Sequence, residues 1–504
     1  MPLLPRSPRK RPFQSAFESE LIDEKPQIWS TTHPKRVKSK GKELREVTRS
    51  KSSSVDCLPN EILLRIFQES INASGSSISI PIDMTSCNSA PVTLLYVCNR
   101  WRHLVLGSPL LWTKIHTPEL IFDNDISLGP YQKVLAQLLG YSQTLPIFVK
   151  HNSPGYHYWN TIKNHVKLTP GCTFTSRHLR GLANDHSLNM LLALTNAGHR
   201  WKTFEITFDN ALLQSFSSLC SHQDPCLGAN LESLKICFSD SPRTSMDFDD
   251  LWCWIKRLPV LKNLYITDSR QFLANTNPKS LPLGFITGEI QFQKPSIKFL
   301  DALQIISQCK SATKVLICGR SLCSDASDSP TYHSGPTTPL CFHRITALIL
   351  KGIQYPIHIL DHFTFPSLVR LEIFLCFAVI GEDLRNDSLS IFKRFLDRSQ
   401  PQLAEFIVRD DYMTEEIALP FLMLPRLRHV STVDFDSVRP ISAGLLASLH
   451  HGEDLDATWN ERLRDIDLMI WKSRSEDAGY HFGWKSMRNN ETLQLSIRGG
   501  RIQR

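Results

Sequence analysis

Apolar residues recur with a helical period at the start of the region that we predict to be folded. They are Leu58, Ile62, Leu63, Ile66 and Phe67. This spacing predicts one apolar stripe along a helix. Pro59 suits the first turn of that helix, and Asp56 or Asn60 can cap its amino end.

A second segment with helical periodicity follows residues 72–89, which have loop composition. Its apolar residues are Val92, Leu95, Val97, Cys98, Trp101, Leu104 and Val105. The run Gly107-Ser108-Pro109 ends it, and a short apolar element over 110–115 follows. Three short helices in about 60 residues bury a low fraction of their surface, so we expect a partner or a neighbouring domain to cover them.

These segments resemble the F-box, and in particular that of the large group of fungal F-box proteins. The matching motifs are Leu58-Pro59, the helix 62–67 that ends in Ile-Phe, Val97-Cys98-Asn99-Arg100-Trp101-Arg102, and Pro109-Leu110-Leu111-Trp112. A helix near 134–141 and a Leu-Pro strand at 145–149 look like the segment that commonly follows. The loop between the first two helices is longer than in the compact F-box.

The resemblance implies a small all-α helix trio that docks on a Skp-type adaptor and, through it, on a cullin–RING core. The residues that it implies for contacting the adaptor, or for supporting that contact, are Leu58, Pro59, Ile62, Ile66, Phe67, Val97, Trp101 and Leu104. The alternative is that the tryptophans of the trio belong to its own core.

From about residue 200, a Leu-x-x-Leu-x-Ile pattern recurs between helical segments. Its clearest instances start at Leu231, Leu261, Ile345, Leu368 and Leu403. A strand and a helix repeated every 20 to 35 residues or so resemble irregular leucine-rich repeats. The alternative is an ordinary α/β domain with a parallel sheet.

The predicted fold class is therefore a small all-α F-box trio followed by an α/β leucine-rich-repeat-like solenoid. We expect five segments: a disordered basic tail at 1–54, the F-box at 55–116, a connecting segment at 117–200, the repeat-like domain at 201–498 with a loop insertion at 324–339, and a tail at 499–504.

The net charge of +8 is concentrated in the first 52 residues, which hold 13 Lys or Arg and 6 Asp or Glu. The remaining 452 residues therefore carry about +1. A basic tail is read by an import receptor, holds phosphates loosely or keeps the chain soluble, so we expect the nucleus, the cytoplasm or both.

Composition and motifs exclude several classes of protein. A hydrophobic fraction of 41% excludes a wholly disordered chain, and the longest strongly apolar run, at 373–380, is too short to span a membrane. Without a visible secretory signal, we expect reduced thiols. We find no nucleotide-binding or hydrolase motif, and Cys220, Cys226, Cys318 and Cys323 lack the spacing of a zinc knuckle. We therefore predict no catalytic residues, no cofactor and no metal.

Two functional hypotheses remain. The first is a substrate-recognition subunit of an SCF-type (Skp–cullin–F-box) ubiquitin ligase, which is not itself an enzyme and tethers a target protein of unknown identity. The second is a nuclear scaffold whose basic tail contacts nucleic acid. We do not expect a membrane, or nucleic acid, as the main partner.

Overall fold

The computed structural model divides the chain into two compact units, Met1–Leu58 and Pro59–Arg504. The residues that it describes, apart from a few single positions, are 57–73, 78–79, 90–117, 129–152, 176–221, 226–238, 249–268, 283–294, 297–319, 338–353, 355–374, 382–410, 432–437, 466–472 and 480–486. The predicted tail at 1–54, the loop at 324–339 except its last two residues, and the end at 499–504 lie outside these ranges.

The second unit begins with short helices that are interrupted by a strand. Helix α1 (Asn60–Ala73) is followed by strand β1 (Ile78–Ser79), α2 (Ala90–Leu94) and α3 (Asn99–Leu106). A 3-10 turn at Pro109–Trp112 leads into β2 (Lys114–Thr117), which pairs with β1 in parallel. The sheet therefore starts among these helices.

Helices and strands then alternate along the chain. The helices are α4 (Gly129–Tyr141), α5 (Ser176–Thr195), α6 (Asn210–Ser221), α7 (Asp249–Lys256), α8 (Phe299–Gln308), α9 (Pro356–Ile359) and α10 (Glu382–Ser399). The strands are β3 (Ile147–Asn152), β4 (Trp201–Phe208), β5 (Ser233–Phe238), β6 (Asn263–Asp268), β7 (Glu289–Lys294), β8 (Lys314–Gly319), β9 (Leu340–Cys341), β10 (Ala347–Lys351), β11 (Phe363–Thr364), β12 (Arg370–Phe374), β13 (Glu405–Asp410), β14 (Thr432–Ser437), β15 (Ile466–Lys472) and β16 (Tyr480–Ser486).

Fourteen of these strands form one sheet, and their order in space follows their order in the chain as far as β14. β9 and β11 are left out of it and make a separate two-stranded parallel sheet. All neighbouring pairs from β1 to β14 are parallel, whereas β16 lies between β14 and β15 and is antiparallel to both. The result is an α/β architecture with one wide, mostly parallel sheet.

Helices pack on the side of the sheet to which the large apolar residues point. Phe216 of α6 contacts the rings of Phe204 and Phe208 of β4. At the other end of the sheet, Phe392 of α10 stacks on Phe406 of β13 with 4.9 Å between ring centroids. We call this side the helix face, and alternate residues of each strand point to the opposite side.

Backbone hydrogen bonds continue the sheet into the turns before the strands. The N–H groups of Glu232, Lys262 and Gly288 each donate to the carbonyl of the corresponding residue one strand earlier, at 2.9 Å. At the carboxyl ends of β8 and β10, Gly319 and Gly352 approach so closely that a Cβ on either would lie 2.1 or 2.2 Å from the other's carbonyl oxygen. No side chain fits at this contact.

The predicted fold class is wrong. The first helices do not form a separate all-α trio, because β1 lies between α1 and α2 and the helices share a unit with the sheet. A two-residue strand offers too few alternating positions to be detected in sequence. The α/β alternation is compatible with the predicted second part, and the whole matches the alternative, an α/β domain with a parallel sheet.

Candidate functional site: the exposed apolar surface of the first helices

Helix α1 buries one apolar side and exposes another. Leu63, Phe67 and Ile71, spaced four residues apart, are buried. Ile62 and Ile66 belong to the predicted stripe, but they lie on the flank of the helix with 45% and 48% of their surface exposed. The predicted single stripe is thus divided between a core side and a solvent-facing side.

The predicted second helix is two helices, because the chain is extended at Cys98. This residue has φ −158° and ψ 169°, and its Sγ accepts a hydrogen bond from the Trp101 N–H at 3.5 Å at the start of α3. The turn before it leaves Tyr96 and Val97 with 51% and 55% of their surface exposed. Arg102 Nε donates to the Leu95 carbonyl at 3.1 Å and so fixes the turn against α3.

Two contacts tie α1 to α3. Arg100 donates from Nε and Nη2 to the Asn60 side-chain oxygen at 3.0 and 2.8 Å. The rings of Phe67 and Trp101 lie 4.7 Å apart, centroid to centroid. The exposed apolar residues of α1 and of the turn before α3 therefore belong to one packed group of helices.

The 3-10 turn that follows α3 packs against that helix and leads into β2. Leu111 and Trp112 are buried, and Trp112 Nε1 donates to the Val105 carbonyl at 2.8 Å. Leu110, on the same turn, is 54% exposed. We select seven of the exposed or half-buried apolar residues of this group and call them the apolar docking surface: Ile62, Ile66, Tyr96, Val97, Trp101, Leu104 and Leu110.

The residues that the sequence predicts for adaptor contact occupy three kinds of position. Ile62, Ile66 and Val97 are exposed, as is Pro59, whereas Trp101 and Leu104 are half-buried on α3. Phe67 is 1% exposed and can only support the surface from below. Leu58 is half-buried and lies in the first unit. Tyr96 and Leu110 were not among the predicted site residues.

A buried histidine pair on the helix face was not anticipated. His151 of β3 lies 2.6 Å from the Thr117 hydroxyl through Nδ1 and 3.1 Å from the Ser187 hydroxyl through Nε2. Burial lowers the pKa of His151 to about 3, with further lowering from the charge of His186. Burial also lowers the pKa of His186 to about 4. A neutral, fully buried imidazole between two hydroxyls suits packing between β2, β3 and α5.

Among the residues that the structure describes, no group of three His, Cys, Asp or Glu side chains could hold a metal ion. Cys220 is buried, and its burial raises the pKa of the thiol. His358 and His362, four residues apart, are both packed, and His358 Nε2 lies 3.5 Å from an oxygen of Asp387. Across all the residues that the structure describes, no helix is long and apolar enough to cross a membrane.

Comparisons with known proteins add no relative to this picture. No protein-family model matches the chain, and no curated protein is similar to it at a significant level.

Proposed function

We propose that the chain is a substrate-recognition subunit of an SCF-type ubiquitin ligase and that a Skp-type adaptor binds its apolar docking surface. The observation that carries the proposal is the exposure of Ile62, Ile66 and Val97. These are three of the positions where the F-box resemblance implies adaptor contact. Large apolar side chains gathered on one group of helices and left open to solvent are typical of a protein interface.

Burial of this surface provides a driving force of suitable size. A large apolar side chain that is fully removed from water contributes roughly 1.5–3 kcal/mol, and side chains that are half exposed contribute part of that on docking. The free energy of association must also offset the entropy that docking costs. This requires the joint burial of several exposed side chains: Ile62, Ile66, Tyr96, Val97 and Leu110. Each of them should therefore matter for affinity.

The function would be tethering. The adaptor end links the chain to a cullin–RING core, and the sheet region holds the target, so that an acceptor lysine stays close to the charged ubiquitin carrier. Holding two reactants on one scaffold raises their effective concentration without any chemical step in this chain. The proposal therefore needs no catalytic residue here.

The test is binding of the purified full chain to a Skp-type adaptor, measured by isothermal titration calorimetry. Ile66→Asp together with Val97→Asp places two charges in the apolar docking surface, and we expect at least a hundredfold loss of affinity. Leu300→Asp on α8 is the matched control, because Leu300 is 56% exposed and lies outside this surface. It should leave affinity unchanged. Equal binding by the double variant and the control, or no adaptor binding by the unaltered chain, would contradict the proposal.

A second candidate function is that of a nuclear scaffold whose basic tail binds nucleic acid. It rests on the charge of +7 in residues 1–52. It predicts DNA binding that weakens steeply with salt and is lost when these residues are deleted. Electrophoretic mobility shifts at several salt concentrations distinguish it, since adaptor binding should not depend on the tail.

A further inference from the structure

Glu205 of β4 is bridged by lysines from both neighbouring strands. The Nζ atoms of Lys150 on β3 and Lys235 on β5 lie 3.2 and 3.0 Å from the same oxygen, Oε1. The register of the sheet places these three residues side by side. We call such a group of two lysines and one glutamate a lysine triad. Because two ammonium groups share one carboxylate, the triad keeps a net positive charge.

A second lysine triad lies at the amino ends of β4, β5 and β6. Lys202 and Lys262 approach the two oxygens of Glu232 at 3.9 and 3.4 Å. Lys202 and Glu232 precede Glu205 and Lys235 by three residues. Leu231 and Leu234 are both buried, so the regular alternation of β5 does not extend back through Glu232, which precedes the strand. Three residues of extended chain separate the two triads by about 10 Å along the strands.

The lysines of both triads remain open to solvent. Their side chains are 42–56% exposed, whereas the Glu205 side chain is 23% exposed. Burial alone would raise the pKa of Glu205, but the hydrogen bonds and charges of Lys235 and Lys150 lower it, so the carboxylate stays ionised. Each ammonium has three N–H donors, and one contact to a glutamate leaves capacity for another acceptor.

The neighbouring strands do not continue this excess of positive charge. On β7 and β8, Glu289 pairs with Lys314 at 2.7 Å and accepts a hydrogen bond from the Tyr265 hydroxyl at 3.0 Å. One carboxylate and one ammonium make a neutral pair. The Glu289–Lys314 pair thus lacks the excess of positive charge that the two triads carry on β3 to β6.

We propose that the two lysine triads bind an acidic segment of the target protein, with carboxylates about 10 Å apart seated on the two triads. This inference rests on the proposed function, because it names the chemistry of the target that the sheet region would hold. Thr203 and Ser233 lie beside the triads in register, and their hydroxyls can hydrogen-bond the backbone of such a segment.

A protein segment fits the two triads better than a nucleic acid does. A nucleic-acid strand carries a charge at every nucleotide and favours a continuous positive track. Here each positive spot contains a carboxylate, and phosphates between the spots would face Glu205 or Glu232. Two isolated charges on a polar strand match the observed spacing.

The test uses fluorescence anisotropy of a labelled glycine–serine peptide that carries two glutamates three residues apart, added to the purified full chain in low salt. The same peptide with glutamines is the reference probe. We expect the glutamate peptide to bind more tightly and Lys235→Gln with Lys262→Gln to weaken it about tenfold. Lys310→Gln with Lys393→Gln removes the same charge at exposed positions elsewhere and should have no effect. It also controls for binding by the basic tail.

Three further measurements give the result a definite meaning. Lys235→Arg with Lys262→Arg should retain binding, and circular dichroism should show that all variants are folded. Equal loss in the two glutamine double variants would overturn the inference. So would a triad-dependent loss of binding to a single-stranded 12-mer oligonucleotide without loss of peptide binding. Adaptor affinity measured on the same variants separates the two proposals, because the triads can fail while adaptor binding stands.

Discussion

Arg200 closes the carboxyl end of helix α4, and its removal should destabilise the fold substantially. The guanidinium donates from Nε to the Leu145 carbonyl at 3.0 Å, from Nη1 to the Leu139 carbonyl at 3.3 Å, and from Nη2 to the Ser142 hydroxyl at 2.6 Å. The last carbonyls of a helix have no partner within the helix, and a cation here also complements the helix dipole.

The size of the effect follows from which acceptors lose their donor in Arg200→Ala. The Leu139 carbonyl keeps a hydrogen bond from the Ser142 hydroxyl at 2.9 Å. The Leu145 carbonyl and the acceptor side of the Ser142 hydroxyl lose theirs, and Ser142 is fully buried. Since an unsatisfied buried acceptor costs about 1–3 kcal/mol, we expect a loss of about 3 kcal/mol in the free energy of unfolding.

Urea unfolding of the full chain, followed by far-UV circular dichroism, measures this loss. Arg394→Ala is the control, because the Arg394 side chain is 54% exposed and pairs with Asp361 at 2.7 Å on the surface. Such a pair contributes about 0–1 kcal/mol. Arg200→Lys should fall between wild type and Arg200→Ala, since lysine lacks the planar fork. Equal losses in Arg200→Ala and Arg394→Ala would refute the capping role.

Two further predictions concern the sheet. Gly319→Ala should lower the free energy of unfolding by about 2 kcal/mol, because its Cβ would meet the Gly352 carbonyl. The control is Gly140→Ala in α4, whose Cβ meets nothing within 4 Å and which should be neutral or stabilising. Equal urea midpoints for the two variants would contradict the close approach. The pKa of His151 is about 3 in the folded state and about 6.5 in the unfolded state. As the pH falls below about 6.5, only the unfolded state takes up this proton, so the folded state loses stability. The loss is about 2 kcal/mol at pH 5. Urea midpoints at pH 7 and pH 5 measure this, and His151→Gln should reduce the difference; an unchanged difference would show that His151 is not its source.

Five strands of the sheet were predictable from the recurring Leu-x-x-Leu-x-Ile pattern. The pattern beginning at Leu231, Leu261, Ile345, Leu368 and Leu403 precedes a strand by two residues each time, in β5, β6, β10, β12 and β13. The antiparallel strands β15 and β16 were not predicted. The position of β16 between β14 and β15 was not predicted either, because periodicity reports burial and not neighbours.

The candidate site was predictable in part. Periodicity marked Ile62 and Ile66 as apolar, but it could not tell which apolar residues of a helix face the core, and both are exposed. It also ran through Cys98, where only the extended backbone separates α2 from α3. The contact of Thr117, His151 and Ser187 joins three distant segments and leaves no local signal.

The agreement between strand order and chain order has a consequence for how the protein forms during synthesis. From β2 to β8 each strand pairs with the one made just before it, so a nascent chain leaving the ribosome can add every new strand to an edge that already exists. Such nearest-neighbour closure keeps loop entropy small at each step. The order changes at β15, which ends at Lys472 and must wait for β16 before it joins the sheet. Since β16 ends at Ser486, the last edge is completed only after about 14 further residues have been translated.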